Sequence, residues 1–120
     1  MGSKSAYMLV RHQSEPQPDV MLLAPRADFY ASGLPEPPDV RLLVEVADSS
    51  LPYDRRTKFP LYARASVTEG WLVDLDSGRV EIHRSPGSSG YRDVQIVGAD
   101  ETFSPLAFPL LTVTLRDLLG

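Results

Sequence analysis

The sequence predicts an α+β or mixed α/β domain on a largely antiparallel sheet, and three observations predict it. The run from Val40 to Val46 is nearly continuous in apolar residues, the composition of a central strand covered on both faces. A helix-patterned segment around Lys58 follows it. A meander of β-prone runs, separated by Asp/Gly and Ser/Gly turns, comes after that.

Each element has its own signal. Tyr7 to Val10 forms a short edge strand, and Val20 to Leu23 a second run entered through Glu15-Pro16-Gln17-Pro18-Asp19. Residues Ala24 to Pro38 hold four prolines and scattered charges and read as a long loop, a kind that often carries function. Pro60 restricts where the next helix starts, because proline in a helix interior costs about 3 kcal/mol whereas the first turn has no amide bonds to lose. Thr57 as N-cap puts Pro60 in that first turn, so the helix is expected from Thr57 to about Arg64. An N-cap at Asp54 would demand a kink. Gly70 to Leu75 and Val80 to His83 form a hairpin across Asp76-Ser77-Gly78. A looser turn from Ser85 to Gly90 leads into a strand from Tyr91 to Val97. The tail, Leu110 to Leu119, ends in a strand or in a short helix capped by Thr114.

At 120 residues the chain fits one domain, with residues 1–13 as leader and edge strand and 14–120 as the domain proper. Met1-Gly2-Ser3 reads as a leader added for expression, and no signal peptide follows. The apolar stretches are strand-sized, short of the ~20 residues that span a bilayer, so no membrane role is expected. The absence of cysteine excludes disulfides, thiolate zinc sites and cysteine nucleophiles and fits a cytoplasmic protein. A net charge of −4 opposes polyanions, so a nucleic-acid role needs a local patch or metal ions that change the sign of the site.

Glu45 stands out. It interrupts Leu42-Leu43-Val44-Glu45-Val46-Ala47, where a valine would be ordinary. An ionised carboxylate taken out of water costs on the order of several kcal/mol unless it is paired or bound to a metal. Of two Pro-Asp-Val triplets, Asp39 lies on the same extended strand, roughly 20 Å from Glu45, too far to share an ion. Asp19 opens a different strand, which pairing can bring beside Glu45. Ala47 occupies the neighbouring same-face position, so the nearest lysine is Lys58 on the helix. Arg55, Lys58 and Tyr62 have the spacing of a shared helix face. Such a lysine would orient or deprotonate a water and offset charge on a phosphorane-like transition state, with Tyr62 hydrogen-bonding a phosphate. Plainer readings stand beside these: Asp19 as a turn residue, Glu45 paired with an arginine such as Arg41, Lys58 solvated. His12 and His83 are isolated, and His83 is expected to face solvent. Ser49 and Ser50 have no histidine placed to activate them, and Trp71 reads as core.

Pro18-Asp19-Val20, Leu43 to Ser50, Tyr53 to Lys58, Leu61 to Ala65 and Trp71-Leu72-Val73-Asp74, in this order, resemble the Uma-two family of restriction-endonuclease-like proteins with a PD-(D/E)XK nuclease fold. The resemblance runs from about Ser14 to Leu119. It implies a restriction-endonuclease-like mixed β-sheet with a flanking helix and a C-terminal β-meander, and a Mg²⁺- or Mn²⁺-dependent site cleaving phosphodiesters in DNA. Carried over by position, Asp19 and Glu45 are the metal carboxylates, with Val46 beside them in the metal site. Lys58 looks like the catalytic lysine, moved from strand to helix; Arg55 and Tyr62 are expected as substrate contacts from their place on the same helix face, not from the resemblance.

The chain also departs from that pattern. Family members begin with a longer N-terminal region packed on the sheet, and Ser66, Thr68 and Gly70 replace the usual Gly, Pro and Tyr before the tryptophan. On this reading the chain is truncated or divergent, or completes its core by association, so a homodimer is expected. The alternative function is a catalytically inactive relative acting as an oligomeric binding or regulatory module.

Overall fold

Among the described residues, six strands form one mixed sheet: β1 (Met8–Arg11), β2 (Val20–Leu23), β3 (Val40–Ala47), β4 (Glu69–Asp74), β5 (Arg79–Gly87) and β6 (Gly90–Gly98). Strands adjacent in sequence are adjacent in space. β3 and β4 pair in parallel, and the other neighbours pair antiparallel. The computed structural model describes residues 8–11, 20–23, 39–47 and 51–119. Asp19, His12, the expected loop from Ala24 to Pro38 and Asp48-Ser49-Ser50 lie outside the described residues.

A parallel pair cannot be joined by a tight turn, so the chain leaves β3, runs along one face of the sheet and returns to β4. Helical turns occupy that crossover: α1 (Leu51–Tyr53), a π turn (Asp54–Lys58) and α2 (Phe59–Arg64). Helical structure therefore begins six residues before the expected Thr57 start. Proline decides the geometry. In a regular α-helix the Pro60 ring would crowd the carbonyl of Arg56. The chain instead widens ahead of it, with the Phe59 N–H bonded five residues back to the Asp54 carbonyl. The kink set against an earlier start is realised as this π turn.

The helical segment ends in a Schellman arrangement. Val67 N–H bonds the Tyr62 carbonyl and Ser66 N–H the Ala63 carbonyl, each at 3.0 Å, with Ser66 left-handed at φ 69°.

Alternation along the strands divides the sheet into two apolar faces. Leu23, Leu43, Ala47 and Leu72 pack with Phe59 and Val67 on the helical side. Leu42, Val44, Trp71, Val73, Val80 and Ile82 pack on the other side with Phe103 and Leu115. Trp71 is core, as expected. That second face is partly covered by the segment after β6, tied by the Phe103–Val113 bridge and by α3 (Leu115–Leu119). The helical alternative for the tail holds. Thr114 Oγ1 accepts from Asp117 N–H while the Asp117 carboxylate accepts from Thr114 N–H, a reciprocal cap.

The hairpin between β4 and β5 follows its sequence signal. Asp74 accepts from the backbone N–H groups of Asp76 and Ser77, and Gly78 takes the left-handed conformation the turn requires. The second turn is tighter than expected, because β5 continues to Gly87 and pairs it directly with Gly90.

Candidate active site

The pairing register builds the site. Glu45 of β3 lies beside Leu72 of β4, which lies beside Glu81 of β5, so these three side chains form one row across the helical face. In the adjacent row Leu43 meets Gly70, and Gly70 meets His83. Gly70 is required there: a Cβ would come within 2.8 Å of the Phe59 ring. Phe59 fills the hollow above the glycine and packs at 4.5 Å, centroid to centroid, against the His83 ring. The residue that precedes this anchored phenylalanine is Lys58.

Lys58 therefore points into the face rather than into water. Its Nζ lies 3.6 Å from Glu45 Oε1 and 3.3 Å from Asp54 Oδ1. Glu45, Asp54 and Lys58 are 1%, 2% and 5% exposed, so the cluster is almost dry. Tyr62, one turn on, donates its hydroxyl to Glu45 Oε2 at 2.6 Å. Lys58 and Tyr62 thus converge on one carboxylate.

Arg55 does not converge with them. Its guanidinium grips Glu81, with Nε 2.9 Å from Oε2 and Nη2 closing a second bond to the same oxygen. His83 Nε2–H donates to Glu81 Oε1 at 3.0 Å. Burial pushes the Glu81 carboxyl up, but hydrogen bonds from His83 and Arg55 and the Arg55 charge outweigh it, holding the group down to about 2. His83 is buried, against the expectation of a solvent-facing ring, because the face it occupies is roofed by Phe59.

Reasoning from sequence missed Asp54, Glu81 and His83. Asp54 carries a signal, its place four residues before Lys58, which its reading as a helix cap hides. Glu81 had the signal that singled out Glu45, a carboxylate inside an apolar strand, in Val80-Glu81-Ile82. Asp19 lies outside the described residues, but its neighbour Val20 pairs with Val44, one position before Glu45.

The hard carboxylate oxygens of Glu45 suit a cation such as Mg²⁺. Among the described residues no group of three or more His, Cys, Asp or Glu converges as a metal site. No helix among the described residues is long and apolar enough to cross a membrane.

A mixed sheet with helical segments packed on it places the protein in the α+β class. The chain belongs to the Uma2 family, described as putative restriction endonuclease, which it matches over residues 2–116. Its fold is similar to that of a putative nuclease belonging to DUF820 from Anabaena variabilis ATCC 29413, with a TM-score of 0.57 and 18% identity. The match covers 84% of this chain and 57% of that one, so the chain spans little more than half of its neighbour's length. No curated protein matches the chain.

Proposed function

We propose that the protein is a metal-dependent endonuclease hydrolysing phosphodiester bonds in DNA, with Asp19, Glu45 and Lys58 as its catalytic residues. The observation that carries the reading is Lys58 held between Glu45 and Asp54 in a nearly dry cluster. Burying these charges costs on the order of several kcal/mol per ion, and apolar replacements of similar volume are often neutral or stabilising. Stability alone gives little reason to keep them, whereas hydrolytic chemistry does.

In this reading Asp19, Glu45 and the neighbouring Val46 would hold Mg²⁺ or Mn²⁺. When bound, such an ion supplies charge neutralisation at the phosphate and a more acidic water. Lys58 Nζ orients the attacking water by hydrogen bonding and opposes the negative charge that builds up on the phosphoryl oxygens. Asp54 keeps the ammonium aimed at Glu45. Tyr62 fixes the Glu45 carboxylate through Oε2 and lies beside the pair, where it can meet a phosphate. Arg55, with its side chain about half exposed, supplies positive charge at the rim.

Plasmid nicking with Mg²⁺ and Mn²⁺ tests the proposal. Wild type should nick, and Lys58→Ala and Glu45→Gln should lose activity while near-ultraviolet circular dichroism shows the fold retained. One observation favours the second reading, an inactive binding module: both Glu45 oxygens are already engaged, by Lys58 and by Tyr62. That reading predicts no divalent-ion binding by calorimetry and no nicking by wild type. The expected homodimer is carried as part of the proposal, and a monomer in sedimentation at micromolar concentration would remove it.

A further inference from the structure

We infer that Glu81 is a positioning residue: through Arg55 it fixes the π turn whose two ends place Asp54 and Lys58 against Glu45. The argument begins from distance. Glu81 is two strands from Glu45, roughly 10 Å across the sheet, too far for the two to share an ion. Glu81 is nevertheless buried, and its oxygens are committed to Arg55 and His83.

Arg55 lies inside the turn Asp54–Lys58, directly after one member of the charged cluster and three residues before the other. A π turn is a strained, uncommon element, and it is held at two points on the same strand. Arg55 is gripped by Glu81, and Phe59, immediately after the turn, packs on His83. Glu81 and His83 are also bonded to each other, so β5 carries a single two-point clamp. With Arg55 released, β5 would hold the turn through Phe59 alone, and the lysine could rotate away from both carboxylates. The catalytic meaning of the clamp rests on the nuclease reading, but its geometry does not.

The sequence makes the test clean, because the chain contains two lysines, Lys4 and Lys58. Lysine-selective ¹³Cε labelling therefore yields two signals, and acylation of the lysine ε-amines two rates, with Lys4 as internal reference. Glu81→Gln keeps the shape and removes the charge that holds Arg55. It should shift the Lys58 signal and raise its acylation rate by roughly tenfold or more, because a charge-assisted hydrogen bond no longer opposes local opening. Arg55→Met alters a half-exposed side chain, should fold even where Glu81→Gln does not, and should move Lys58 the same way. Arg84→Gln breaks the ion pair that Arg84 makes with buried Glu69 on the opposite face, and controls for general loosening. It should leave the Lys58 signal in place.

Lys58 unchanged in Arg55→Met, or equally displaced in Arg84→Gln, would overturn the inference. The readout needs no DNA. A wild type that fails to nick plasmid would count against the nuclease reading alone, whereas an unresponsive Lys58 counts against the clamp alone.

Discussion

Tyr62 on α2 donates its hydroxyl to Glu45 on β3 across 2.6 Å, a bond between residues 17 apart in sequence that joins helix to sheet inside the charged cluster. The carboxylate is 1% exposed, so water is poorly placed to replace that donor. Tyr62→Phe should destabilise the fold by roughly 1–3 kcal/mol, the range for leaving a buried acceptor short of a partner. Urea unfolding followed by the fluorescence of Trp71, the single tryptophan, measures this directly.

The Glu81 carboxyl, held down to about 2, makes stability depend on acid. Its ordinary value is 4.5, so the group binds a proton more readily in the unfolded chain. Its contribution is present in full above pH 4.5 and is lost as pH falls through that value towards 2. Urea midpoints measured across this window should fall more steeply in wild type than in Glu81→Gln.

Ser66 holds a left-handed conformation at the end of α2, with φ 69°. A side chain there costs about 1–2 kcal/mol of backbone strain, and glycine returns part of that gain through its freer unfolded chain. Ser66→Gly should therefore raise stability by about 0.5–1 kcal/mol, seen as a melting temperature higher by a few degrees. Ser66→Ala should bring no gain.

Gly70 makes room for Phe59, which in turn seats Lys58. A methyl group at position 70 would press on the ring at 2.8 Å, and the ring is boxed in by His83 and Tyr62. Gly70→Ala should cost about 1–3 kcal/mol as overpacking. It should also move the Lys58 ¹³Cε signal, linking a glycine on the sheet to the lysine above it.

Much of the fold was legible because it rests on local pattern. The apolar run of β3, the Asp-Ser-Gly turn, the strand after Gly90 and the Thr114 cap all carry signals within a few residues of the structures they form. Glu45 was legible as an anomaly, since a charge in a buried strand needs a partner. His83 was not, because its neighbours in sequence describe an exposed hairpin while its roof, Phe59, comes from a different element. The helix start was misplaced for a related reason. Local rules weigh Pro60 against a regular α-helix, and the sheet beneath supports a π turn that an isolated helix would not keep.

By itself, then, the sequence determined which strands exist, that one of them buries a carboxylate, and that a lysine follows on the crossover. Strand periodicity and turn chemistry act over short range, so they survive reading one residue at a time. Only the tertiary structure decided which charges meet. Register across β3, β4 and β5 put Glu45 and Glu81 in one row, and Phe59 over Gly70 turned Lys58 inward. Those contacts depend on the relative placement of elements distant along the chain, and no local preference encodes that placement.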